Sequence, residues 1–169
     1  MSDARSVLEG LASAMVSSDL RVKDDKRGDL DYLIALGCSG RRLKAGASSV
    51  LALHLAHDKA SLIDALRFTL GVVKQLNMKR GWKLKPAEYK PLAEKALRYH
   101  VAPACPTCEG RKFKKVDGAP KLSGAPCNTC HGSGRRPYPL RNGREIAEVV
   151  YALEDTTRVI EKAVRGKLR

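Results

Sequence analysis

Apolar positions recur at intervals of three and four along most of this chain. Val7, Leu8, Leu11, Ala12, Met15 and Val16 set that period first, and with Ser2 or Asp3 as N-cap they predict an amphipathic helix ending near Ser17 and Ser18. Leu30, Leu33 and Ile34 share a face over Asp29 to Leu36, and Gly37 stands where a helix C-cap would. Cys38 to Ser49, with two glycines and the basic run "RRLK", reads as a loop or short helix. From there Val50, Leu51, Leu53, Leu55, Leu62, Leu66, Leu70 and Val73 predict two helices, about Ser49 to Ala56 and Lys59 to Leu76. "NMKRGWKLKP" reads as a basic turn around Gly81. Pro86 then opens a helix whose buried face is Tyr89, Leu92, Ala96 and Leu97, running to about His100. Asn142 or Gly143 leads into a closing helix, in which Ile146, Val150, Leu153, Thr157, Ile160 and Val164 form a heptad-like stripe. Packing of this stripe on the other helices is preferred to a dimer seam. Strand-like alternation is nearly absent outside residues 102–136.

Those residues hold four of the five cysteines, as Cys105-x-x-Cys108 and Cys127-x-x-Cys130 with eighteen residues between the pairs. That spacing fits the four-cysteine zinc template, because each Cys-x-x-Cys turn presents two sulfurs to one ion and two turns complete a tetrahedron. The expected cofactor is one structural Zn²⁺ on Cys105, Cys108, Cys127 and Cys130. Four thiolates leave no open position for water or substrate, which speaks against zinc catalysis. Gly110 and Gly132 follow the knuckles where positive φ would aim backbone N–H groups at sulfur, and Gly134 completes the second knuckle, where the first has Lys112. His131 is read as a surface residue, and Cys38 as a small buried hydrophobe.

The expected fold class is therefore mainly α: a helical bundle-like domain with an inserted four-cysteine zinc-binding element. The expected organisation is a helical region over 1–101, the zinc element over 102–136, and a C-terminal helix over 137–169 packing back on the first part. At 169 residues and 43% apolar content the chain can bury a core of moderate size.

Charge adds a partner. There are 32 Lys and Arg against 18 Asp and Glu, a formal +14, and such an excess draws in polyanions, nucleic acid first. No run of apolar residues is long enough for a membrane helix and the N-terminus lacks the form of a signal peptide, so a cytoplasmic protein with no membrane partner is expected. From Cys105 to Arg144 nine Lys or Arg face only Glu109 and Asp117, more than the thiolates need. Candidate phosphate contacts are Arg111, Lys112, Lys114, Lys115, Arg135 and Arg136. A second set, Lys79, Arg80, Lys83 and Lys85, lies in a turn that would suit a helix-turn-helix pair, with Lys90 and Lys95 beyond it. Trp82 in that turn is read as a core edge in preference to a base-stacking group, and Gly40 to Lys44 as solvated charge. His54 and His57 share a helical face without the acidic residue of a metalloprotease pair. With no phosphate loop, nucleophile elbow or carboxylate cluster, an enzyme is not expected.

The doubled Cys-x-x-Cys-x-Gly form resembles the knuckles of J-protein chaperones, with two knuckles in place of four and no J-domain signature. That likeness carries an alternative function, a chaperone-like or protein-interaction module. A broader resemblance runs from Pro86 to Arg169. "LAEKALRYHVAPACPTCEGRKF", "CNTCHGSGRRPYPL" and "REIAEVVYALEDTTRVIEKAVRGKLR" are similar in order and character to the Q-type late-gene antiterminators of lambdoid phages. The resemblance implies a protein of the bacterial host cytoplasm that binds double-stranded DNA at a phage late promoter and loads onto host RNA polymerase, so that transcription passes terminators. Cys105, Cys108, Cys127 and Cys130 carry over as zinc ligands, while Lys112 departs from the glycine pattern.

Overall fold

The computed structural model describes residues 6–17, 29–39, 46–115 and 122–168. Among these the chain forms six α-helices and one pair of short strands: α1 Val7–Val16, α2 Asp29–Ser39, α3 Ala47–Ala56, a 3₁₀ turn at Lys59–Ser61, α4 Leu62–Arg80, α5 Pro86–Val101, β1 Phe113–Lys115, β2 Leu122–Pro126 and α6 Gly143–Lys167. The expected mainly α fold with an inserted cysteine element is what the chain adopts.

Local signals set the helix ends. α1 starts at a capping box: the Ser6 hydroxyl accepts from the Glu9 N–H, and the Glu9 carboxylate accepts from the Ser6 N–H. This replaces the expected start at Ser2 or Asp3, which lie outside the described residues. α2 runs through Gly37 to Ser39. α4 continues four residues past Leu76, because the left-handed Gly81 stops it, donating its N–H to Asn77 O. Asn77 also holds the turn that follows, accepting from the Leu84 N–H at 3.1 Å and donating to the Tyr89 hydroxyl at 3.1 Å. Pro86 occupies the first turn of α5 as expected.

Two apolar clusters share α6 as a spine. Ile146, Val149, Val150 and Leu153 pack with Val50, Val73, Leu92, Ala93, Ala96 and Leu97. Two to three turns on, Ile160 and Val164 join Val7, Leu11, Tyr32, Ala35 and Leu51. The stripe on α6 is thus consumed within the chain. α1 and α2 approach so closely that a Cβ at Gly10 would strike the Tyr32 ring, so glycine is required there. In α2 the buried face is Tyr32 and Ala35, while Ile34 is exposed. Cys38, expected to be buried, lies on the exposed side of the same helix. Trp82 is half-buried against the first cluster, a core edge.

α5 and α6 begin at the same end of the body. Arg141 just before α6 pairs with Glu88 in the first turn of α5, and Arg80 at the end of α4 pairs with Glu148 near the start of α6. The cysteine element leaves from the other end of α5, and residues 137–142 return along it. No described helix is long and apolar enough to cross a membrane.

Candidate metal centre and its basic surroundings

The two Cys-x-x-Cys turns face one another as near copies. In each, the residue after the second cysteine, the next one and the fourth take positive φ: Glu109, Gly110 and Lys112 at 51°, 81° and 72°, and His131, Gly132 and Gly134 at 50°, 83° and 74°. The Arg111 N–H donates to Cys108 O at 2.9 Å, and the Ser133 N–H to Cys130 O at 3.0 Å. The turns are stitched reciprocally, for the Cys105 N–H donates to Gly134 O and the Cys127 N–H to Lys112 O, both at 2.9 Å. Thr107 and Thr129, the third residues of the two motifs, share a hydroxyl hydrogen bond of 2.8 Å. β1 and β2 pair antiparallel below, and an isolated bridge joins Ala104 to Arg135.

This pseudo-twofold arrangement brings the four sulfurs within 4.8 Å of one another, all buried. A tetrahedron with bonds of about 2.3 Å has edges of about 3.8 Å, and Cys108 Sγ lies 3.7 Å from Cys130 Sγ. The sulfurs therefore fit one tetrahedral metal ion. Backbone N–H groups favour the thiolates: that of Cys108 lowers the Cys105 thiol pKa, and that of Cys130 lowers the pKa of Cys127. At Cys130 burial opposes ionisation, yet the Gly134 N–H, 3.3 Å from its sulfur, helps bring the pKa below the usual thiol value. Burial pushes Cys108 up to about 11.

Lys112 is a departure in residue type but not in backbone. It adopts the left-handed conformation that Gly134 adopts in the other turn, a conformation that costs an L side chain about 1 kcal/mol. Lys112→Gly should therefore tighten metal binding about fivefold, read as the midpoint of a chelator competition; an unchanged midpoint would mean the turn carries no such strain.

The basic residues fall into two groups separated by the length of α5, 16 residues or about 24 Å. At the cysteine end Arg111 pairs with Glu109 at 3.0 Å, Arg135 with Glu154 at 3.6 Å, and the Arg136 guanidinium lies 5.8 Å from the Tyr99 ring centroid. Lys112 and Lys114 are exposed, with no ion pair among the described residues, and Lys115 lies in β1. At the opposite end Arg80 is tied to Glu148, while Lys79, Lys83 and Lys85 are exposed around the Asn77-stapled turn. α4 and α5 pack extensively on each other across that turn. Gly40 to Lys44 lies outside the described residues.

Two features have no counterpart in the sequence pattern. Tyr99 and Tyr138 meet with ring centroids 5.0 Å apart, and the Tyr99 hydroxyl donates to Pro137 O at 2.9 Å. His54 and His100 meet at 4.6 Å inside the body, with His54 Nδ1 and His100 Nε2 buried and lacking a hydrogen-bond partner among the described residues. His57 is exposed and left-handed where α3 ends, while His54 packs on His100 inside the body. Comparison with known protein families, with curated proteins and with solved structures finds no match for this chain.

Proposed function

We propose that this chain is a DNA-binding transcription antitermination factor that engages RNA polymerase, and that one zinc ion on Cys105, Cys108, Cys127 and Cys130 fixes its basic element. The observation that carries the DNA reading is a closed sulfur shell ringed by cations in large excess over acids, on a chain of net charge +14. The ion would act as a structural cross-link. The reciprocal hydrogen bonds of Cys105 and Cys127 then transmit its position to Lys112, Gly134 and Arg135. With the turns fixed, Lys112 and Lys114 meet phosphate without first being ordered, which favours binding. Arg111 and Arg135 can exchange their exposed carboxylate partners for phosphate at little cost, since such surface pairs contribute about 0–1 kcal/mol. The antitermination step rests on the resemblance of residues 86–169 to the Q-type proteins.

Affinity for duplex DNA should fall linearly with the logarithm of salt concentration, with a slope of about −0.9 per phosphate neutralised. Charge reversal at Lys112 and Lys114 together should flatten that slope by about two and weaken binding about tenfold or more, with metal content unchanged. Absence of duplex binding at low salt would sink the DNA reading. Run-off transcription past a terminator, on templates carrying candidate late promoters, tests the second step; unchanged read-through on every template would leave a DNA-binding protein without antitermination activity.

A further inference from the structure

We propose that the nucleic acid bound at the cysteine end presents an unpaired base that stacks on Tyr138, so that this face prefers single-stranded over duplex nucleic acid. The proposal rests on the nucleic-acid reading and narrows its substrate. Tyr138 is 41% exposed, on the segment that leaves the second knuckle. One side of its ring is backed by Tyr99, tilted 31° at 5.0 Å, and Tyr99 is itself locked by its hydroxyl on Pro137 O. Proline on both sides, Pro137 and Pro139, restricts the backbone that carries the ring. A Cβ on Gly143 would lie 3.4 Å from Tyr138 Cβ, so the start of α6 closes the segment from behind. The aromatic surface is therefore ordered before any ligand arrives, which removes much of the entropy loss of stacking.

Cations flank the ring. Arg136 is stacked on Tyr99, and no anionic partner for it lies among the described residues; Arg135 is the neighbour before it. A Cβ on Gly134 would lie 3.0 Å from Lys112 Cγ, which places the stem of that lysine beside the start of the segment. The carboxylate of Glu154 acts on Tyr138 and is paired with Arg135 at 3.6 Å. Leu140, two positions on from Tyr138, is fully exposed. Phosphate-binding charge at one end, an ordered ring in the middle and an apolar side chain beyond it form the arrangement that follows a single strand, where each base offers a free π-face. An intact duplex offers its phosphates but keeps its base faces stacked inside.

The test uses the full metal-loaded chain and fluorescence anisotropy at low salt, with labelled oligothymidylate, oligouridylate and a mixed-sequence duplex of equal length. Tyr138→Ala should weaken both single strands about tenfold and the duplex by less than about twofold, and Tyr138→Phe should bind as the wild type does. The two single-stranded probes separate DNA from RNA as the source of the base. Unchanged single-strand binding in Tyr138→Ala, or equal loss on strand and duplex, would overturn the proposal and leave the DNA reading standing. Wild-type protein that binds none of the three probes would overturn both. Should Tyr138→Ala lose its metal or its helical signal, Tyr138→Trp decides instead: tighter single-strand binding supports stacking, and unchanged or weaker binding refutes it.

Discussion

Replacing Cys127 with Ser is expected to abolish stoichiometric metal binding and to melt residues 103–136, while the helical body survives. The expectation follows from what the element buries. Among its described residues only the four cysteines and Gly134 are inaccessible to solvent, and Phe113, the largest apolar side chain of the ribbon, is 40% exposed. Among the described residues nothing apolar holds the two turns together, so the ion's binding free energy is the element's folding free energy. Six residues hold positive φ there, three of them not glycine, and only the sulfur cross-link and the reciprocal hydrogen bonds keep them so. The body does not share this dependence, because its two clusters are aliphatic and joined through α6. Wild-type protein purified under reducing conditions should carry about one metal ion per chain, identified as zinc by elemental analysis, and chelation should reproduce the variant. Amide exchange should show protection lost across residues 103–136 and kept in α4 to α6. Cys38→Ser serves as the control, for that exposed thiol is not one of the clustered sulfurs and its loss should leave metal content unchanged. Retained protection of the knuckle amides in metal-free protein would refute the account.

The contrast between body and element also explains which parts were legible in the sequence. Cys-x-x-Cys geometry is set within four residues, so spacing alone locates the ligands and even the positive φ of Gly110 and Gly132. The pairing of the two turns spans 22 residues, and only that pairing forces Lys112 into the conformation of Gly134. Helix existence followed from periodicity, whereas phase and ends did not. In α2 the pattern is compatible with two adjacent faces, and close packing on Gly10 selects the one bearing Tyr32 over the one bearing Ile34. The start of α1 was readable but missed: Ser6 and Glu9, three apart before an apolar run, are a capping-box signature. The separation of the basic residues to opposite ends of α5 was readable, since Lys79 to Lys85 precede that helix and Arg111 to Arg136 follow it. Contacts between Tyr99 and Tyr138, 39 residues apart, and between His54 and His100, 46 apart, leave no local trace at all.

The second of those pairs predicts acid sensitivity of the body. His100, at the end of α5, is 4% exposed, and burial together with the neighbouring His54 lowers its pKa to about 4 from the ordinary 6.5. Burial also lowers His54; its hydrogen bond to the His100 backbone and the carboxylate of Glu154 oppose that shift, and His57 adds to it. Both imidazoles are thus folded in their neutral form, and the unfolded chain is the better proton acceptor. The contribution of His100 to stability should be complete above about pH 6.5, fall as pH drops, and level off below about pH 4, where both states hold its proton. At about 1.4 kcal/mol per pKa unit the loss from His100 alone comes to about 3 kcal/mol. Urea unfolding of the helical signal across this range measures it, and His100→Leu isolates the source. That variant removes the titrating group and a buried nitrogen without a partner, so it should be at least as stable as wild type at the acid end and show a flatter pH dependence. Proton competition for the metal-bound thiolates acts on both proteins alike and cancels in the difference. Parallel pH profiles for wild type and His100→Leu would show that the buried imidazole is not the source of acid sensitivity. Because α5 ends one residue past His100 and leads directly into the cysteine element, the same loss of packing reaches the anchor on which the knuckles are mounted.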